Sequence, residues 1–415
     1  VSPQTGEKID EVMLGVYRAP QSFTGEDMVE ISCHASQYIV SELMRLLSEK
    51  GARVAEPGEF SRRAFINGKM DLAQAEAVAD LISSSSSAQH RVAFNQLRGG
   101  FSSELSEIRQ QLLELTSLIE LELDFSEEEL EFADRNKLRE MLDSSIAHCC
   151  SLRDSFRAGN ALRNGVPVAI VGAPNSGKST LLNALLQDDR AIVSDIPGTT
   201  RDTIEETCVV GGILFRFIDT AGIRSATEEI ERLGIERTMR KAAEAELVLG
   251  LIDVSAAGCR ENFEKAVREI AGLVNLEHQK LIILANKVDT EGSNKNINCL
   301  NKFVLSFNNK EIMVNILEIS AKTGFGLDKL REYLISASGI ASATGTLVTN
   351  ARHAQALSDT AEALGRVRLG LASSLPSDLL AEDLRFALAA LGTITGEITT
   401  DEILGEIFGR FCIGK

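Results

Sequence analysis

The sequence predicts a multidomain protein: a small N-terminal α+β domain, then a discontinuous α-helical domain with an α/β domain inserted into it. Three observations predict this. Between residues 166 and 336, apolar runs such as "VPVAIVG", "ELVLGLIDV", "KLIILANK" and "NILEISA" alternate with helical segments. Near-continuous apolar strands of this kind are covered on both faces, in a mostly parallel sheet. On either side the chain is rich in good helix formers. Ahead of all this, short β-type runs mix with one helical stretch.

Residues 1–66 hold the runs "VMLGVY" and "MVEIS" and the stretch "SQYIVSELMRLLSEKG". Ile39, Leu43, Leu46 and Leu47 share one helical face, and Gly51 supplies a stop. Residues 67–163 are rich in Ala, Leu, Glu and Gln and hold no Pro. The Ser83–Ser87 run in this region reads equally as a linker or a helix junction, and a second helical stretch covers roughly 135–160. Residues 164–338 carry the strand–helix alternation, including the strand "LFRFIDT". Residues 339–415 return to helix with "RHAQALSDTAEALGRVRLGL", "DLLAEDLRFALAALGTITG" and "TDEILGEIFGRF". This order suggests one helical domain split by an insertion, although two separate bundles give the same pattern.

The chain has 415 residues, 44% hydrophobic and 25% charged, the balance of a globular protein. It contains no apolar run of membrane-spanning length and opens on no secretory signal. A chain that begins at Val1 and runs at once into strand-like sequence is expected to be a domain without its beginning. Seven cysteines, none in a C-x-x-C pair, point to neither a disulfide framework nor a zinc site, and fit a reducing cytoplasm. The net charge of −17 repels nucleic acid, so any RNA contact needs a local basic patch or a conformational change. Much of that charge lies between Glu104 and Asp134, where 11 acidic residues face the single Arg109.

"GAPNSGKST", Gly172 to Thr180, follows a strand and precedes the helical "LLNALLQ". It fits G-x-x-x-x-G-K-[ST], whose glycines let backbone N–H groups turn toward phosphate oxygens, with Lys178 reaching the β- and γ-phosphates and Ser179 ligating Mg²⁺. The residues at its crest are Asn175, Ser176 and Gly177, and Thr180 follows in the helix. "NKVD", Asn286-Lys287-Val288-Asp289, ends a strand. The Asp289 carboxylate can accept from guanine N1–H and the 2-amino group, which adenine lacks, so GTP is favoured over ATP. Ser320-Ala321-Lys322 is placed for a backbone N–H to meet guanine O6. Between these, "SDIPGTTRD" (Ser194, Asp195, Ile196, Pro197, Gly198, Thr199, Thr200 and onward) reads as a switch loop in which Thr200 completes Mg²⁺ coordination. In "DTAG" (Asp219, Thr220, Ala221, Gly222), Asp219 holds Mg²⁺ through water and Gly222 offers its N–H to the γ-phosphate. Ile223, just beyond, can neither donate nor accept a hydrogen bond to an attacking water.

With these motifs the chain resembles the MnmE (TrmE) family of tRNA-modification GTPases. The resemblance rests on the phosphate loop with Asn175, "PGTTRD", "DTAGIR", the block "PGEFSRRAFINGKMDLAQAEAVADLI" at 57–82 and the terminal "FCIGK", and it runs from Val1 to Lys415. "CHAS" at 33–36 departs from the family's usual Cys/Gly-His-Gly-Gly. The resemblance implies a folate-binding-like N-terminal α+β domain that pairs into a homodimer, and an inserted P-loop GTPase (G) domain. It implies a K⁺ ion held by Asn175, Ser194, Ile196 and Thr199 across dimerised G domains, and Glu231 positioning the water that Ile223 cannot. It implies 5-formyl-tetrahydrofolate, or a related folate, contacted by Glu30, Lys69 and Lys415, with Cys412 beside the one-carbon unit. It further implies an FAD-dependent partner, MnmG (GidA), and modification of a tRNA wobble uridine at C5, with glycine or ammonium supplying the amine. The alternative reading is a ribosome-assembly GTPase of the Era or Der type. Such a protein needs an RNA-binding appendage, and no GXXG loop in a strand–helix context follows residue 336.

Overall fold

The computed structural model describes residues 6–124, 135–187, 206–218, 245–257, 260–276, 278–290, 302–307, 310–340, 345–373, 375–409, 411 and 414. They fall into two compact units. One comprises Val1–Ser83, Ala93–Arg153 and Arg352–Lys415, the other Ser84–Val92 and Asp154–Ala351.

The second unit is built on a seven-stranded sheet. In chain order its strands are β3 (Val166–Gly172), β4 (Glu206–Val210), β5 (Ile213–Ile218), β6 (Leu247–Asp253), β7 (Lys280–Asn286), β8 (Lys302–Phe307) and β9 (Lys310–Glu318). Across the sheet the order is β4-β5-β3-β6-β7-β9-β8. The five central strands are parallel, and each edge strand is antiparallel to its neighbour. Along β3, Val168 and Ile170 enter one core with Phe215, Phe217, Leu249 and Leu284. Ala169 and Val171 enter another with Val248, Ile252, Ile283 and Phe263. Successive residues of a strand point to opposite faces, so both faces of the sheet are buried and the apolar runs follow. All five expected strands are present. The two edge strands are additions that the alternation of apolar runs does not reveal, and the hairpin between β4 and β5 turns on Gly211 and Gly212, at φ 58° and 80°. Paired positive φ values are those of a two-residue hairpin turn.

Helices of this unit include α7 (Lys178–Gln187), α8 (Val254–Ala257), α9 (Arg260–Ala271) and α10 (Leu327–Ser338). Leu182, Leu185, Leu330 and Leu334 pack on the first core, and Phe263 and Val267 on the second.

The first unit opens with an antiparallel pair, β1 (Met13–Tyr17) and β2 (Met28–Ser32), and with α1 (Gln37–Glu49). The expected apolar face of α1 is present, but no residue of this helix is fully buried. Two strands offer one helix too little surface to cover its stripe. Along the chain then follow α2 (Glu59–Ile66), α3 (Leu72–Ser83), α4 (Ser87–Leu97), α5 (Gly100–Asp124) and α6 (Arg135–Asn164), of which α4 belongs to the first unit only from Ala93 and α6 only as far as Arg153. The Ser83–Ser87 run is a helix junction. Gln89 N–H donates to Ser86 Oγ (3.2 Å) while Ser86 N–H donates to Gln89 Oε1 (3.0 Å). This reciprocal pair is a capping box, and Asp71 with Gln74 repeats it at the start of α3. The C-terminal helices are α11 (Ala351–Ala372), α12 (Ser377–Thr395) and α13 (Asp401–Gly409). Leu72, Ala75 and Val78 of α3 pack with Leu404, Phe408 and Phe411. Among the described residues no helix is long and apolar enough to cross a membrane.

Candidate guanine-nucleotide site

The phosphate loop lies between the carboxyl end of β3 and the first turn of α7, the position where open α/β sheets bind ligands. Asn175 and Gly177 hold positive φ, 61° and 103°. These values curl the backbone so that successive N–H groups face the concavity that an anion would occupy. A side chain at 177 is excluded twice, by φ and because its Cβ would stand 2.3 Å from Asn286 Nδ2. Lys178 Nζ donates to Gly172 O (2.8 Å) and Ala173 O (2.9 Å), so the ammonium sits over the mouth of the loop. Burial holds it below the ordinary lysine value. Ser179 is half-buried beside it on α7, and Asn175 and Thr180 are exposed. The Ser176 side chain is enclosed, and its Oγ has no hydrogen-bond partner among the described residues.

Asn286, the last residue of β7, is 2% exposed. Its Nδ2 donates to Ser176 O (2.8 Å), and its Oδ1 accepts from Ala321 N–H (3.0 Å). One side chain therefore joins the phosphate loop to the Ser320–Lys322 loop. That second loop is closed on itself: Ser320 N–H donates to Phe325 O, and Thr323 N–H to Ser320 Oγ. Lys287 stands at φ 68°, and its Nζ lies 2.6 Å from Asp253 Oδ2. Burial pushes the Asp253 carboxyl up, but the Lys287 and Ser255 hydrogen bonds outweigh it and leave the acid below its usual value. Val288 is half-buried, and Asp289 and Lys322 are exposed at the rim. Asp253 was not among the residues read from sequence. Its signal was the acid closing the apolar run "LVLGLID", but a strand-end acid is common and its partner lies 34 residues away.

The structure thus brings the loop at 175–180 together with Asn286, Ala321 and their neighbours. Ser194–Thr200, Asp219–Gly222 and Glu231 lie outside the described residues, as do Cys412 and Lys415. In the first unit, Glu30 is exposed on β2 and accepts from Tyr17 Oη (3.4 Å). Lys69 is exposed after α2, its Nζ donating to Pro20 O (2.9 Å).

Comparison with known proteins gives the family. The family described as MnmE helical domain matches residues 72–412, and that described as GTP-binding protein TrmE N-terminus matches residues 1–69. The chain belongs to the MnmE family. It is 49% identical to the tRNA modification GTPase MnmE of Bacteroides fragilis over 411 residues, covering 99% of this chain and 87% of that protein. It is also 49% identical to that of Bacteroides thetaiotaomicron over 415 residues, covering 99% and 87%. A solved structure of Era in complex with MgGDPNP and a segment of 16S ribosomal RNA is 27% identical, with a TM-score of 0.29, and covers 41% of this chain and 56% of that one. As a member of the MnmE family the chain is a GTPase. The match of the MnmE helical domain across both helical flanks sets the Era/Der alternative aside.

Proposed function

We propose that this MnmE-family GTPase uses GTP hydrolysis to drive the C5 modification of a wobble uridine in certain tRNAs, installing an aminomethyl or carboxymethylaminomethyl group. It would work in the cytoplasm as a homodimer with the FAD-dependent MnmG (GidA). The observation that supports this most is the Asn286 bridge, which sets a guanine-reading loop against a phosphate cradle. The working division is an α+β domain at 1–66, helical parts at 67–163 and 339–415, and a G domain at 164–338.

In this reading the N–H groups of the 175–180 turn and the positive end of α7 take up phosphate charge. Lys178 exchanges its two carbonyl partners for phosphate oxygens. The Ser179 hydroxyl, on the first turn of α7, fits a Mg²⁺ ligand, with Thr200 completing the set and Asp219 acting through water. Asp289 at the rim selects guanine. Asn175 is exposed at the crest of the loop, where its side-chain carbonyl oxygen is accessible to a K⁺ ion. A cation held there with Ser194, Ile196 and Thr199 supplies fixed positive charge near the bond that breaks. Glu231 orients the attacking water. Exposed Glu30 and Lys69 suit the donor edge of a pterin and the glutamate of a folate, with Lys415 and the Cys412 thiol toward the one-carbon unit.

The decisive experiment measures GTP hydrolysis in KCl and NaCl at several protein concentrations, for the native chain and Glu231→Ala. The reading expects faster turnover in KCl, a rate per chain that rises with concentration, and a variant that binds GTP but does not turn over. Equal rates in both salts would remove the potassium, and a variant with normal turnover would remove Glu231.

A further inference from the structure

Between Asp80 and Glu104 the chain carries His90, Arg91 and Arg98 and no acidic residue, in a protein whose net charge is −17. The second half of α4 lies in this stretch and belongs to the first unit from Ala93 onward. Ala93 and Gln96 are buried there, and Leu97 packs against the cluster that holds Leu72, Phe408 and Phe411. At 3.6 residues per turn the opposite face holds Phe94, Asn95 and Arg98, and all three are exposed. Arg98 N–H still donates to Phe94 O (3.0 Å), so helical bonding runs through it. Gly99, at φ 85°, then ends the helix with its N–H on Gln96 O (2.9 Å). From α3, Gln74 Nε2 donates to Leu97 O (3.1 Å). The turn that carries the three exposed side chains is therefore tied down from within the unit.

The Arg98 guanidinium lies over the Phe94 ring, its central carbon 5.0 Å from the ring centroid. A cation over an aromatic face is held by the ring quadrupole. Elsewhere in the unit Arg18, Arg45, Arg63, Arg352, Arg368 and Arg385 each hold a carboxylate. Arg98 has no carboxylate partner among the described residues, so its charge stays available to a ligand. Phe94 is 40% exposed. One exposed ring is ordinary on any protein surface. Here the ring is stacked with an arginine that is not neutralised, beside an exposed amide at Asn95 that both donates and accepts. A ligand that engages all three is planar, bears negative charge and has donors and acceptors on its edge. An unpaired nucleotide in an RNA loop has these properties: the base stacks on a ring or a guanidinium, the phosphate meets the charge, and the base edge meets the amide. In a base-paired duplex the base faces are already stacked on one another. An acidic peptide meets the charge and leaves the ring unused.

We propose that Phe94, Asn95 and Arg98 form a docking surface for an unpaired nucleotide of a single-stranded RNA loop. The proposal rests on the reading of this chain as an enzyme that acts on tRNA, and adds where the RNA is held. It also meets the repulsion that the overall charge imposes, since the RNA approaches a segment that carries arginine and no acid.

The test is fluorescence anisotropy of a labelled RNA stem-loop, with uridine in its single-stranded loop, titrated with the full chain and compared with a blunt duplex of the same stem. The stem-loop is expected to bind at least about tenfold more tightly than the duplex. Phe94→Ala is expected to weaken the stem-loop by about tenfold and to leave the duplex unchanged. Arg98→Gln is expected to reduce the slope of log affinity against log salt by about 0.7, the share of one single-strand phosphate, and Arg98→Lys to restore it. The side chains are exposed, so melting temperature and GTP hydrolysis are expected to stay at native values in all three variants. No saturable binding, a duplex bound as tightly as the stem-loop, or native stem-loop affinity in both Phe94→Ala and Arg98→Gln would each overturn the proposal. Native RNA affinity in those variants with uridine modification lost would assign the face to a protein partner instead. RNA binding that needs Phe94 and Arg98, in a chain that modifies no uridine alongside its FAD-dependent partner, would uphold the surface and sink the modification reading.

Discussion

The side-chain amide of Asn286 donates to the backbone carbonyl of Ser176 at 2.8 Å while accepting from the Ala321 N–H at 3.0 Å. The two bonds use opposite ends of one planar group, so the spacing between the phosphate loop and the Ser320–Lys322 loop is set by the width of an amide. Asn286→Ala leaves Ser176 O and Ala321 N–H unpaired in a buried place. The expected result is a loss of about 1–3 kcal/mol in stability of the G domain and roughly 10- to 100-fold weaker GDP binding. Chemical denaturation and nucleotide titration read the two effects, and native nucleotide affinity in the variant would show that the bridge does not organise the site.

Gly177→Ala probes the cradle from the other side. A methyl at φ 103° is strained, and it would lie 2.3 Å from Asn286 Nδ2. The strain is confined to one turn, so the fold is expected to survive while nucleotide affinity falls by at least about tenfold. A native-like circular dichroism spectrum with lost GDP binding is the predicted pair of readings, and retained binding would contradict the cradle geometry.

In the helical part, Glu76 of α3 receives Arg352 Nη2 on Oε1 (2.8 Å), and His353 Nε2 lies 3.0 Å from its Oε2. Burial pushes the Glu76 carboxyl up, but His353 and Arg352 outweigh it and bring it down to about 2 from the ordinary 4.5. A depressed carboxyl pKa contributes stability that is present above the unfolded value and is lost as pH falls from about 4.5 toward 2. The interval corresponds to about 3 kcal/mol. Glu76→Gln is therefore expected to be less stable than the native chain at pH 7, with the difference shrinking toward pH 3. Urea midpoints across that range would show it, and a gap that stays constant with pH would refute the linkage.

The five parallel strands were legible because each is buried on both faces and therefore reads as an apolar run. The edge strands β4 and β8 were not, because each pairs on one side only and its sequence ("ETCVV", "KFVLSF") carries no such run of comparable length. The Ser83–Ser87 run could be read two ways until Ser86 and Gln89 were seen to cap α4. Gly172–Thr180 was legible as a phosphate loop because its chemistry is local: one turn, one lysine, one helix start. The bridging role of Asn286 was not, since its partners lie 110 and 35 residues away. The Asp253–Lys287 pair was hidden for the same reason.

That pair yields the last prediction. Lys287 adopts φ 68°, which a non-glycine residue holds only when its surroundings fix it, and its ammonium is anchored 2.6 Å from Asp253 Oδ2. Asp253 in turn accepts from Ser255 N–H and Oγ at the start of α8. The acid thus secures both the helix start and the turn that presents Val288 and Asp289. Asp253→Asn keeps the size of the side chain and the Ser255 contacts within reach but removes the charge that draws in Lys287. Because Lys287 is about a third exposed, solvent screens part of that attraction. The expected result is a modest loss, roughly 3- to 10-fold, in affinity for GDP and GTP alike, with little change in melting temperature. Discrimination against ADP should fall with it, because Asp289 loses a fixed position. Competition binding with GDP and ADP measures both quantities, and weaker GDP binding at unchanged discrimination would separate Lys287 from the placement of Asp289.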